Sequence, residues 1–131
     1  MMKYVDIAAH ILLGLVFAVF GLAGLLKPDL FPQPELDQEA AFFMSGLSAN
    51  AYFMVVLKLV EAVGGILILF RRWVPLALVL LAPVVVHIFL FHAFLAPEGL
   101  PMAVALVVLE GYLGFVVYRK SFKTVLAARQ N

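Results

Sequence analysis

The 131-residue chain contains no cysteine and few charged residues, and both absences narrow the classes of function it can have. Without cysteine there are no disulfide bonds, no thiol redox chemistry, no cysteine-ligated zinc and no iron–sulfur cluster. Aspartate, glutamate, lysine and arginine make up only 13% of the residues, and the formal net charge is +1. No basic stretch interleaved with aromatic residues is present, so no nucleic-acid partner is expected.

Hydrophobic residues, by contrast, make up 66% of the chain. A soluble domain of this length has too much surface for its volume to bury so many apolar side chains, so a lipid bilayer is the expected partner for the rest. Four runs, residues 7–26, 51–70, 74–95 and 100–117, can cross a hydrocarbon core of roughly 30 Å, which needs about 20 helical residues. Such continuous apolar runs predict helices, because barrel strands would alternate. We therefore predict an all-α fold, a single four-transmembrane-helix bundle over residues 1–131.

Basic residues are distributed unequally between the two sides of this predicted bundle. One side holds the amino end, the second connection and the tail, with Lys3, Arg71, Arg72, Arg119, Lys120, Lys123 and Arg129. The other side holds Lys27 and most of the acidic residues, namely Asp29, Glu35, Asp37, Glu39 and Glu98. Since basic loops stay in the cytoplasm, this distribution predicts that both termini are cytoplasmic.

The connection between the first two spans, residues 27–50, is the only long one. After an irregular start with three prolines, residues 35–47 have acidic side chains early and apolar ones at Leu36, Ala40, Phe43 and Leu47. This spacing predicts a short amphipathic helix on the extracytoplasmic side, which lies on the membrane surface or caps the bundle. A solvated loop is the alternative.

Small residues suggest where helices approach each other closely. The first span carries a stripe of them, Gly14, Ala18 and Gly21. We expect this stripe to pack against a neighbouring helix. A glutamate followed four residues later by glycine, and then by a basic pair, occurs in both the second span (Glu61, Gly65) and the fourth (Glu110, Gly114). This echo fits two similar hairpins related by an axis along the membrane normal.

The two glutamates lie near the middle of their predicted spans. A charge at that depth costs about 2.5–3.5 kcal/mol on insertion scales, so it normally faces a partner or a cavity. Lys58 is three residues before Glu61 on one helix face and can pair with it. His87 lies near the middle of the third span, so the hairpin topology predicts that it lies at a similar depth to Glu61 and Glu110, and the three meet inside the bundle if they face one another. The candidate ligand-binding residues are therefore a buried polar cluster, Lys58, Glu61, His87 and Glu110, with His92 nearer the outer edge.

Three histidines in a four-helix membrane bundle raise the question of haem, which needs two of them at one level on facing helices. At about 1.5 Å per residue, His10 and His87 differ in depth by on the order of 10 Å. His87 and His92 share a helix and point roughly 140° apart, so haem within one protomer is disfavoured. A metal site at Glu61, His87 and Glu110 is an alternative. Mutual hydrogen bonding is the preferred interpretation, no metal is predicted, and His10 is interpreted as an interfacial or packed histidine.

Several segments share a pattern with a known family of membrane proteins. They are residues 11–22, 57–67, 74–83, 87–92 and 109–110, and their most specific parts are Lys58 and Glu61 before the paired glycines and the Phe-His ending of span three. On these segments the chain resembles the DoxX and DoxX-like proteins over nearly its full length. Relatives often carry asparagine at the position of His87, so the resemblance does not imply histidine chemistry there.

The resemblance implies four transmembrane helices in a bacterial inner membrane and association with a redox system. Some DoxX-like proteins resemble a membrane subunit of a thiosulfate–quinone oxidoreductase, and others are associated with redox-stress complexes or with maturation of other membrane proteins. Since the chain has no cysteine, it lacks the simplest relay of electrons from sulfur compounds. It also has no self-sufficient catalytic motif, so the expected role is at most that of a non-catalytic or quinone-interacting subunit of an oxidoreductase.

Three functions remain open. The leading hypothesis is a membrane subunit that binds a lipophilic molecule, a quinone, beside Glu61, His87 and Glu110 and supports a redox partner protein; a protonated carboxyl or histidine there would supply a proton. The second is a structural or assembly protein with no ligand, in which the buried charges only hold the fold together. The third is a small-solute or proton transporter, which would have to act as a homo-oligomer because four helices are few for alternating access.

Overall fold

The computed structural model describes residues 2–27, 36–49, 51–125 and 127, and these residues contain helices and turns but no strand. The longer helices are α1 (Met2–Leu26), α3 (Ala51–Leu69), α4 (Val74–Phe94) and α5 (Leu100–Tyr112), which a π-helix continues over Leu113–Val117. The shorter ones are α2 (Gln38–Ser48), a 3₁₀ turn at Pro97–Gly99 and α6 (Arg119–Val125). In this part of the chain, four helical segments are long and apolar enough to cross a membrane: Lys3–Leu26, Tyr52–Leu69, Val74–Phe94 and Pro97–Val117. The predicted all-α fold with four such helices is confirmed.

The helix bounds differ from the predicted spans at two places that matter for the site. α1 begins at Met2 instead of residue 7, so Asp6 lies inside the helix. The fourth span is not a uniform α-helix, because its last five residues form the π-helix Leu113–Val117. Tyr118 then leaves helical geometry (φ −107°, ψ 28°) before α6 begins.

The four long helices are packed in chain order. α1 packs mainly on α3, α3 on α4 and α4 on α5, and a smaller contact between α1 and α5 closes the bundle. The centre contains fully buried apolar side chains, among them Leu13, Phe17, Ile68, Leu81 and Leu113. Many large apolar side chains on the outer faces of all four helices are exposed, which suits contact with lipid. We refer to the end of the bundle with the α3–α4 connection as the Arg71 end and to the opposite end as the Glu98 end.

The stripe of small residues on α1 packs against α3, as predicted. A Cβ placed on Gly21 would lie 2.7 Å from the Cα of Ala62, and one on Gly14 would lie 2.9 Å from the carbonyl oxygen of Gly65. Both neighbours are backbone atoms, so the two helices touch along their main chains. This close approach fixes how α3 is rotated and therefore where its polar side chains lie.

α2 lies within the long connection and packs at the Glu98 end. Its Ala40 is fully buried, and the ring of Phe43 lies 5.7 Å from the ring of Phe91 on α4. The helix covers Gln38–Ser48, whereas the pattern predicted residues 35–47. Leu36 precedes the helix, and Glu35 and the three prolines of the connection lie outside the described residues.

Candidate functional site

The polar residues of α3 form an ion pair inside the bundle. Lys58 Nζ donates a hydrogen bond to Glu61 Oε2 at 3.2 Å, and only 7% of the Glu61 side chain is exposed. The aliphatic part of Lys58 lies over Gly24 of α1, where a Cβ would collide with its methylene carbons. The predicted pair is confirmed, and Glu61 therefore has a charged partner on its own helix.

Glu61 lies between α1 and α4 because of the two glycines that follow it. Gly65 faces the backbone of α1 at Ala18, and Gly64 faces the side chain of Leu81 on α4. Glu61 is one turn before both glycines, so it shares their direction into the bundle. Glu61 is therefore buried where α3 packs against α1 and α4.

Glu110 has different surroundings. It lies beside a groove of about 190 Å³ between α4, the end of α5 and α6, lined by Leu78, Val79, Ala82, Glu110, Gly111, Gly114, Phe115 and Phe122. The Oε2 atom of Glu110 is buried, and no hydrogen-bond donor among the described residues reaches it. Buried polar oxygens are nearly always hydrogen-bonded, so an unpartnered carboxyl oxygen on a residue that lines a groove marks a candidate position for a further group.

The groove exists because no side chain packs closely against Gly111 and Gly114. A Cβ at Gly111 would meet nothing within 4 Å, and one at Gly114 would meet only the ring of Phe122 at 3.9 Å. The echo between the two glutamate-bearing spans therefore does not extend to their surroundings. Gly65 is closed by α1, whereas Gly114 opens onto the groove beside Glu110.

The π-helix and α6 shape the end of the groove nearest the Arg71 end. Gly114 and Phe115 of the π-helix line this end of the groove. Leu113, the first residue of the π-helix, is fully buried in the core. The bend at Tyr118 brings Phe122 of α6 back over Gly114. π-helical segments are rare in proteins and are often found at functional sites.

His87 does not belong to the predicted cluster, and this part of the prediction is wrong. The side chain is exposed on the outside of the bundle. The reason is the rotation of α4, whose buried face runs through Leu81 and Val85. A residue two positions after Val85 is turned by about 200°, which directs His87 outward.

Depth also separates the three residues. Ala82 lies at the groove beside Glu110, and His87 is five residues farther along α4, about 7.5 Å nearer the Glu98 end. Gly64 meets Leu81, so Glu61 lies about one turn closer to the Glu98 end than Glu110 does. The structure thus keeps Glu61 with Lys58 and leaves Glu110 alone at the groove.

The other two histidines hold local structure. His92 contacts the carbonyl oxygen of Ala96 through Nδ1 at 3.0 Å, just beyond the end of α4, and its ring lies against Gly99 of the 3₁₀ turn. It is therefore far from the groove. His10 is almost completely buried and uses both ring nitrogens, Nδ1 to the carbonyl oxygen of Asp6 at 2.6 Å and Nε2 to the hydroxyl of Tyr118 at 2.7 Å. Within the described residues, no group of three metal-ligating side chains comes together.

The structure reveals a polar network that the sequence patterns did not indicate. Tyr112 donates a hydrogen bond to Asp6 Oδ1 at 2.5 Å, so Asp6 and His10 on α1 hold Tyr112 and Tyr118, one on each side of the π-helix. The available signal was the spacing of Asp6 and His10, four residues apart on one helix face. It was missed because the predicted first span began at residue 7, after Asp6, and the predicted fourth span ended at residue 117, before Tyr118.

Comparisons with family models, with curated proteins and with solved structures give no match to the chain. The resemblance to DoxX-like proteins therefore stays a prediction.

Proposed function

We propose that the protein binds a lipophilic molecule with a polar head group, a quinone in the first place, in the groove beside Glu110. The observation that carries this proposal is the buried, unpartnered Oε2 of Glu110, a residue that lines an otherwise apolar groove. Ligand sites of this kind combine an apolar lining with a few polar groups that fix the orientation of the ligand.

The size of the groove supports a ring-shaped head group. An apolar cavity of roughly 150 Å³ can hold benzene, and the groove measures about 190 Å³. A substituted ring fits this space, whereas a complete isoprenoid quinone does not. The tail of such a molecule would have to lie along the apolar outer surface of α4 and α5, where Val79 and Phe115 are exposed.

Glu110 suits a ligand that exchanges hydrogen bonds. In apolar surroundings an unpaired carboxyl group is less costly as the neutral acid than as an anion, so Glu110 can donate to a ring carbonyl or accept from a ring hydroxyl. The groove is otherwise lined by apolar residues, so Glu110 is the group at it that can carry a proton.

The redox part of the proposal comes from the resemblance to DoxX-like proteins. We propose that the chain is an accessory subunit in a bacterial inner membrane, which holds a quinone for an oxidoreductase partner and does not itself transfer electrons from a substrate. A carboxyl group that can give or take a proton beside the ring is the contribution that this chain's own residues would make to such a reaction.

Carbodiimide labelling tests the site directly. Dicyclohexylcarbodiimide, which enters from lipid and reacts with protonated carboxyls, should label Glu110 in phosphatidylcholine nanodiscs but not Glu61, which is paired with Lys58. Decylubiquinone should protect Glu110 from the reagent in a concentration-dependent way. Mass spectrometry of the peptides reads both residues in one sample, and Glu110→Gln serves as the variant without the reactive group.

The outcomes of this experiment separate the parts of the proposal. Labelling of Glu110 that decylubiquinone slows would support a quinone site. If decylubiquinone does not slow the labelling even at concentrations that saturate the bilayer, the groove is open to the reagent but does not bind a quinone. Equal labelling of Glu61 and Glu110 would contradict the different surroundings of the two glutamates.

We also propose that both termini are cytoplasmic and that α2 lies on the extracytoplasmic side, as the distribution of basic residues predicts. The absence of cysteine makes this easy to test, because an introduced cysteine is the only thiol in the chain. Ser45 on α2 and Ser121 on α6 are both exposed. In intact bacterial spheroplasts, a membrane-impermeant maleimide should label Ser45→Cys, and should label Ser121→Cys only after permeabilisation. The reverse pattern would overturn the orientation.

A structural or assembly role is the second candidate, and one observation favours it. The Lys58–Glu61 pair and the contacts of His10 are satisfied within the chain, so these buried polar groups need no ligand to explain them. Glu110 is the group that this role leaves without an explanation.

A further inference from the structure

We propose that Asp6 and His10 of α1 are positioning residues for the groove, because they hold the two tyrosines that bracket the π-helix and thereby keep Glu110 accessible. An effect of these residues on ligand binding rests on the proposed function, whereas their effect on the accessibility of Glu110 does not.

The network consists of hydrogen bonds within α1 and between α1 and the two tyrosines. A carbonyl oxygen only accepts hydrogen bonds, so His10 Nδ1 donates to the carbonyl of Asp6. In the neutral ring Nε2 then accepts from the hydroxyl of Tyr118. Tyr112 donates to the carboxylate of Asp6. The hydroxyls of Tyr112 and Tyr118 are thus both hydrogen-bonded to residues of α1.

The positions of the two tyrosines depend on the π-helix between them. On a straight α-helix, residues six positions apart point about 120° from each other, so Tyr112 and Tyr118 could not both face α1. The five-residue π-helix and the non-helical Tyr118 change this relationship and let both hydroxyls reach α1. The two hydrogen bonds therefore favour the π-helix over a regular α-helix.

The π-helix also forms part of the groove. Gly114 and Phe115 belong to the π-helix and line the cavity beside Glu110. If the segment returned to α-helical geometry, its register would shift by one residue, and the side chains would rotate by about 100°. The bulky ring of Phe115 would then move relative to Gly114, which now leaves the groove open.

The experiment removes single hydroxyl groups and reads the accessibility of Glu110. Tyr112→Phe and Tyr118→Phe should each reduce the rate of dicyclohexylcarbodiimide labelling at Glu110 by about fivefold, the factor that corresponds to one lost hydrogen bond. Tyr52→Phe is the matched control, because Tyr52 is exposed at the Glu98 end of the bundle. Labelling is measured well below the unfolding temperature of each variant, so a loss of stability alone does not change the rate.

Two further variants distinguish positioning from general packing. Asp6→Asn keeps an oxygen that can accept from Tyr112 and should label at nearly the wild-type rate, whereas Asp6→Ala should lose as much as Tyr112→Phe does. Combining Asp6→Ala with Tyr112→Phe should add nothing to either change, because both remove the same hydrogen bond.

The outcomes are distinguishable from those of the proposed function. If decylubiquinone fails to protect Glu110 in the wild type but the tyrosine variants still slow labelling, the quinone is rejected and the positioning role stands. If decylubiquinone protects but the tyrosine variants label like Tyr52→Phe, the positioning role is overturned. If Glu110 is not labelled even in the wild type, the groove is not open to the membrane, and the positioning role is overturned as well.

Discussion

Lys58→Met is expected to destabilise the protein by about 3–5 kcal/mol, since it leaves the carboxylate of Glu61 buried without its charged partner. Glu61 Oε2 lies 3.2 Å from Lys58 Nζ, and no other cation of the described residues forms an ion pair with it. After the substitution, Glu61 must either stay charged in the interior or take up a proton, and both cost free energy. Unfolding in detergent micelles, followed by far-ultraviolet circular dichroism, measures the loss.

The matched test removes both charges together. Lys58→Met with Glu61→Met should recover most of the stability that Lys58→Met loses, because an apolar pair of similar volume is often as stable as a buried ion pair. The double variant should also leave labelling of Glu110 unchanged, since Glu61 and Glu110 do not share a site. A double variant that is as unstable as Lys58→Met, or that changes the labelling of Glu110, would contradict this separation.

The helices and the Lys58–Glu61 pair could be predicted because both depend on short-range properties of the chain. Apolar runs of sufficient length predict the spans, and a spacing of three residues places two side chains on one face of any α-helix. The small residues of α1 could also be assigned to a close helix contact, although the pattern did not say which helix would be the neighbour.

The position of His87 could not be predicted, and the reason is the composition of α4. This helix is apolar on every face, so its sequence carries no periodic signal for the side that faces the bundle. Its rotation is set by contacts with α3 and α5, such as that of Leu81 with Gly64. The imidazole was placed inside by its depth alone, and depth does not determine direction.

The polar network of Asp6, His10, Tyr112 and Tyr118 could not be predicted for a related reason. Asp6 and Tyr118 are separated by more than 100 residues, and Tyr118 meets α1 only because a π-helix and a bend interrupt the fourth span. Such interruptions are stabilised by tertiary contacts and are not visible in the hydrophobic pattern. The same holds for Glu110, whose pattern matches that of Glu61 but whose surroundings are decided by α6.

Gly65→Val is expected to destabilise the bundle by about 3 kcal/mol or more, at the upper end of what overpacking costs. A Cβ at this position would lie 2.7 Å from the carbonyl oxygen of Gly14 and 2.8 Å from the carbonyl carbon of Phe17. Both are backbone atoms of α1, so no side chain can rotate away and the two helices must move apart. Unfolding in detergent micelles measures this loss, and α1 and α3 should separate before the rest of the bundle.

Gly111→Val is the matched control, because the same substitution meets open space at this position. Its stability should stay within about 0.5 kcal/mol of the wild type. The added side chain would instead narrow the groove, so labelling of Glu110 by dicyclohexylcarbodiimide should fall while the fold remains intact. The two variants then separate the surroundings of the two glutamates: Gly65 serves helix packing beside Glu61, and Gly111 keeps a space open beside Glu110. Equal loss of stability in both variants would mean that the α5 glycines are also packed, and that no groove exists beside Glu110.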